Sequence, residues 1–136
     1  MAFVPLTKTE EKLMLFLWEQ DRPLTVSEML DLLDERAWTK NYTRDIVRSL
    51  KKKGAIAMSG LIHSRTNFAQ QFLPGITKAE YYAGLARHNG VSLGELFRAE
   101  ASAMAEGGMG KELDGLIREL EGAIWECRGE AGRGRA

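Results

Sequence analysis

WTKNYTRDIVRSLKKKGAI, Trp38 to Ile56, decides how this chain is read, because it sets six basic residues against one acid in a 136-residue protein whose formal net charge is zero. Wound as a helix, the stretch puts Tyr42, Ile46, Val47 and Leu50 in an apolar stripe and Asn41, Arg44, Asp45 and Arg48 on the opposite face. Gly54, directly after three lysines, is a good C-terminal stop. The segment therefore predicts an amphipathic helix that is basic on its wet side. Such a face is either a solvated helix end or a surface for a polyanion, and charge alone leaves both open.

The flanking sequence supplies the context. Upstream, LTKTEEKLMLFLWEQ has Thr7 and Glu10 at capping-box spacing, then Leu13, Met14, Leu17 and Trp18 at helical spacing, which predicts a first helix over about 8–20. Asp21-Arg22-Pro23 ends it, and Thr25 with Glu28 opens a second helix over about 26–35, making the basic segment the third. Downstream, AIAMSGLIHSRTNFAQQFLPG carries two short runs, 55–58 and 66–73, around Ser-Gly and His-Ser-Arg turn residues, and reads as a hairpin closed by Pro74-Gly75. Three helices followed by a two-stranded hairpin is the order of a winged helix-turn-helix, whose third helix enters the major groove of DNA. The expected fold is thus mainly α with a small β-hairpin wing (α+β).

Charge counted by region agrees. Residues 39–76 hold 7 bases and 1 acid, whereas residues 1–38 and 77–130 each carry four more acids than bases. A basic face between acidic flanks can engage a polyanion locally, with Lys40, Arg44, Arg48, Lys51, Lys52, Lys53 and Arg65 as candidate phosphate contacts.

The remaining sequence predicts helices over about 78–88, 93–105 and 111–127, two of them opened by capping boxes at Thr77/Glu80 and Ser92/Glu95. Leu113, Leu116, Ile117, Leu120, Ile124 and Trp125 read as one face of the last, and Leu96 and Phe97 add to it. Three helices hung after a wing do not readily bury their own stripes, so these residues are the expected dimerisation surface of a homodimer, against the simpler arrangement in which the helices fold back on the winged domain. The expected organisation is a winged helix-turn-helix over 1–75, a helical dimerisation region over 76–128 and a disordered tail over 129–136.

Segments TKTEEKLMLFLWEQ, PLTVSEMLDLL and WTKNYTRDIVRSLKKKGAI, with Trp18, Trp38 and Lys52-Lys53-Gly54 in place, resemble the penicillinase-repressor family, to which copper-responsive repressors are similar. The resemblance covers about residues 6–56 and, more loosely, 77–126. It implies a homodimeric repressor that binds a palindromic double-stranded DNA operator and blocks transcription. By the family pattern Thr39, Asn41, Tyr42 and Asp45 face the groove from the start of the third helix, and Arg65 supplies a basic contact from the wing. An unidentified sensor or protease is the expected releasing partner. Two departures bear on release: a single cysteine, Cys127, cannot form the paired-cysteine cluster of the copper sensors, and the one Asn-Phe pair, Asn67-Phe68, falls in the expected wing rather than in the C-terminal helices where antibiotic-responsive relatives are cut.

Other classes find little footing. No P-loop, GxSxG or paired catalytic acids occur, so no enzyme is expected. His63, His88 and Cys127 lack metal-ligand spacing, so no metal or other cofactor is expected either. The longest apolar run, Leu13 to Trp18, is far below the roughly 20 residues of a membrane span, and with one cysteine a cytoplasmic location is expected. Trp18 and Trp38 read as core anchors, and Tyr81-Tyr82 as interface or core. A winged-helix protein-interaction module that meets an acidic partner, and an activator of the same fold, remain alternatives to the repressor.

Overall fold

The structure, a computed structural model, describes residues 3–64 and 67–134. They form two compact units, Met1–Asn89 and Gly90–Ala136.

In the first unit, α1 (Lys8–Gln20), α2 (Val26–Leu32) and α3 (Lys40–Lys53) precede an antiparallel hairpin of β1 (Ile56–Ser64) and β2 (Asn67–Pro74), followed by α4 (Lys78–His88). The expected capping boxes are present at α1, α2 and α4: Thr7, Thr25 and Thr77 accept from the backbone N–H three residues on, and Glu10, Glu28 and Glu80 accept from the cap N–H in return. α2 stops three residues before its expected end. Leu33 is extended, the Asp34 carboxylate accepts from the N–H of Arg36, the local competition with helix that aspartate favours, and the Asp34 main-chain carbonyl accepts from the N–H of Ala37 and Trp38. Leu13, Met14 and Leu17 of α1, Met29 of α2, and Val47 and Leu50 of α3 close a core with Leu24, Ile56 and Phe72, and both Trp18 and Trp38 pack against it.

The hairpin departs from expectation. Ser59-Gly60 does not turn the chain; β1 runs straight through it, and between Met58↔Phe72 and Gly60↔Gln71 the register gains one residue on β1, a β-bulge. Glycine inside a strand marks a bulge as readily as a turn, and here the bulge lengthens the wing. Leu24 also pairs with Phe72, donating to and accepting from it at 3.1 and 2.8 Å, so the turn after α1 clamps the wing's base.

α4 belongs to the first unit, although the boundary was expected after Gly75. Tyr81 is buried and its hydroxyl accepts from the N–H of Leu6 at 3.0 Å, while Trp18 Nε1 donates to the carbonyl of Ile76. A Cβ on Gly84 would sit 2.6 Å from the Phe3 ring, so glycine permits this close approach.

The second unit consists of α5 (Leu93–Glu106) and α6 (Gly110–Gly134), joined through Gly107 and Gly108, the latter at φ 72°. α6 continues past the expected stop near residue 127 and through residues 129–134, where a disordered tail was expected. Extending an existing helix fixes one residue per hydrogen bond, without the cost of a new nucleus.

Candidate nucleic-acid interface

α3 owes its orientation to its two sides. At 100° per residue, Lys40, Lys51, Arg44, Arg48, Asn41, Lys52 and Asp45 fall within one arc of about 140°. All seven are exposed, while Thr43, Val47 and Leu50 on the other side are buried. Among the described residues no ion pair holds Lys40, Arg44, Lys51 or Lys52; Arg48 lies 3.5 Å from Asp45, both solvated, so that pair is weak and easily exchanged for phosphate. The Thr39 hydroxyl accepts from the N–H of Tyr42 as the N-cap, which fixes the start of the helix and leaves its proton available to an outside acceptor.

Tyr42 sits at the edge of the arc. Its ring centroid is 5.8 Å from that of Trp38, and 41 % of the residue remains exposed. By sequence Tyr42 belongs both to the apolar stripe and to the expected groove contacts; its neighbour Thr43 is fully buried, and the Thr43 hydroxyl has no hydrogen-bond partner among the described residues.

Lys53 is placed elsewhere. It lies beyond the arc toward α1, where its ammonium is 2.6 Å from Glu10 Oε1, while Ser49 donates to Oε2 at 2.6 Å. Burial pushes the Glu10 carboxyl up, but hydrogen bonds from Lys53, Ser49 and the Thr7 backbone, with the Lys53 charge, outweigh it and hold the pKa at about 2. The charge of Lys53 is therefore used inside the fold. Its partner is 43 residues away, so no local pattern pointed to it. Arg65 lies outside the described residues.

An open groove of about 500 Å³ separates α3 from the hairpin. Arg44, Arg48 and Lys51 form one wall, Phe68, Ala69 and Gln70 of β2 the other, and Thr25 and Ser27 close the α2 end. The wing residues and Ser27 were not among the expected contacts. The alternation Phe68, Gln70, Phe72 was the available signal, since it puts the first two on the same strand face as the buried Phe72.

In the second unit, α5 packs on α6 and leaves Leu113, Leu116, Leu120 and Phe97 half-buried, while Leu96, Ile117, Ile124 and Trp125 are exposed. By helical angle Leu113, Leu116, Ile117, Leu120 and Ile124 share an arc of about 100°, but Trp125 lies about 120° round from Leu113. It is 79 % exposed.

Three helices, a hairpin pinned at its base, and a bare cationic face on the third helix define a winged-helix DNA-binding protein. A scan against family models matches residues 6–90 to the penicillinase repressor, more than half of the chain, and the protein belongs to that family of DNA-binding transcriptional repressors. The family's members are regulators rather than enzymes. No curated protein sequence matches the chain significantly. No described helix is long and apolar enough to cross a membrane, and among the described residues no three His, Cys, Asp or Glu side chains gather as a metal site.

Proposed function

We propose that the protein represses transcription as a homodimer on a two-fold-symmetric operator, each α3 lying in a major groove. The observation that carries this reading is the segregation of α3: an exposed arc of bases around Asn41, backed by a core that fixes its orientation. In that pose Asn41 reads a base edge through its amide, Lys40, Arg44, Arg48, Lys51 and Lys52 meet phosphates, and the groove between α3 and β2 accommodates one backbone strand. Support for the dimer comes from the second unit, whose Leu96, Ile117 and Ile124 are exposed large apolar side chains of the kind an interface covers. A sensor or protease that ends repression is part of the same proposal.

The test is binding to duplexes recovered from a random-sequence pool, measured across salt concentrations. Affinity falls steeply with salt if several phosphates are neutralised, and Asn41→Ala relaxes preference at one base pair per half-site, costing about 1–3 kcal/mol there. A salt-independent interaction would instead favour an acidic protein as the partner, and an unchanged specific-to-nonspecific ratio in Asn41→Ala would remove α3 as the reader of bases.

A further inference from the structure

The outer hairpin exposes large apolar side chains on its described strands. Phe68 is 68 % exposed and Leu61 57 %, although both stand on an otherwise well-formed strand pair. Directly paired residues share a sheet face, so the pairs Leu61↔Gln70 and His63↔Phe68 present four side chains on one side, with the His63 and Phe68 rings edge to face at 5.4 Å. It is also the side of Phe72, which at the hairpin's base is buried in the core. The exposed apolar face is thus the outward continuation of the core face, and it overhangs the groove whose far wall is Arg44, Arg48 and Lys51.

That juxtaposition selects the occupant. A partner must offer an anionic ridge to the cationic wall and, immediately beyond the ridge, a slot with apolar and planar surfaces for Phe68 and Leu61. A DNA duplex has this profile: one phosphate strand separates the major groove from the minor groove, whose walls are sugars and whose floor is base edges. With α3 in the major groove and the strand in the 500 Å³ cleft, the hairpin face lies over the adjacent minor groove.

Resting on that reading of α3, we propose that the wing is a second DNA contact of apolar character: Phe68, braced by His63 and flanked by Leu61, wedges into the minor groove and opens a base step there. The Phe68 and Leu61 side chains bear no charge, so they add affinity without adding to the salt dependence. The contact discriminates by deformability, favouring flexible pyrimidine–purine steps at positions α3 never touches.

The experiment compares the full-length protein with Phe68→Ala and Phe68→Leu on a duplex that the wild type recovers from a random-sequence pool, carrying a fluorescent base analogue at the flanking minor-groove step. Phe68→Ala is expected to bind about tenfold or more weakly, with the slope of log affinity against log salt unchanged and the unstacking signal lost. Phe68→Leu keeps most of both, and thermal melting of the two variants stays at the wild-type value because the side chain is on the surface. Wild-type affinity in Phe68→Ala, or no unstacking signal with the wild type, overturns the wedge. So does a shift in sedimentation of free Phe68→Ala, which would assign the patch to contact with a second copy. If the wild type itself recovers no duplex and shows no salt-dependent binding, the α3 reading has failed and the wing falls with it; steep salt dependence retained in both wild type and Phe68→Ala at equal affinity removes the wing alone.

Discussion

The two units are built of similar helices and reach different ends. In the first, Leu13, Met14, Leu24, Met29 and Leu50 are fully withdrawn from water, because three helices, a hairpin and α4 surround them. In the second, no described residue is buried, since two helices make one seam and cannot enclose a core. Similar amphipathic patterns thus mean different things according to how many elements are at hand to cover them. The first unit encloses its own core, and the second, taken by itself, presents an apolar surface, which the proposed dimer would cover.

The sharpest way to break this comparison is Leu116→Asp with Leu120→Asp. Both residues lie on the α6 seam, and charges placed there oppose any burial. If the second unit is completed by another copy, the variant sediments as a monomer, the first unit melts as in the wild type, and operator affinity drops about a hundredfold or more, because two linked half-sites bind far better than one. A wild type that is monomeric at micromolar concentration would show that the seam is not an interface.

Next in size is a contrast inside the first unit between neighbours on α3. Lys53→Ala leaves the buried Glu10 carboxylate without its counter-charge and is expected to cost about 2–3 kcal/mol of stability, less than a fully buried pair would, because Lys53 is itself partly exposed and Ser49 and the Thr7 N–H still hold the carboxylate. Lys52→Ala, on the exposed arc, leaves melting unchanged and weakens binding to all DNA sequences about equally, with a shallower salt slope. Denaturant melts beside salt titrations separate the two. Equal effects on stability would mean that the Glu10 pair is not structural.

The same pair predicts acid behaviour. The Glu10 carboxyl is lowered in the folded state from 4.5 to about 2, so its contribution is fully present above pH 4.5 and is lost as pH falls from there toward 2. Glu10→Gln removes that part of the pH dependence, at the cost of lower stability at neutral pH. A variant whose stability still fell as steeply over this window as the wild type's would place the acid lability elsewhere.

What was legible in the chain was what neighbouring residues decide. Capping boxes at Thr7, Thr25 and Thr77 set three helix starts, and Gly54 at φ 80° ended α3 where expected. The exposed arc of α3 followed from its period. Less legible were features decided by distant partners: Leu24 clamping Phe72, Glu10 taking Lys53, and Tyr81 of α4 burying itself under Leu6. Ser59-Gly60 has the composition of a turn, and only pairing with Gln71 and Phe72 makes it a bulge. By its size Trp125 reads with the leucines, although its helical angle sets it about 120° round from Leu113.

The smallest expected effect tests how completely the first unit closes. Thr43 of α3 is fully buried, and its hydroxyl has no partner among the described residues. A buried hydroxyl without a hydrogen bond carries its desolvation cost uncompensated, whereas the isosteric apolar side chain carries none. Against this, valine is a slightly poorer match to a helix than its shape suggests, because its χ1 is confined there. The first effect is the larger, so Thr43→Val is expected to raise stability by about 0.5–1 kcal/mol in denaturant melts, with DNA affinity unchanged because the residue faces the core. A loss of stability instead would mean that the hydroxyl is satisfied, by an enclosed water or by the Thr39 carbonyl one turn back, and that α3 is held by a polar contact as well as by packing.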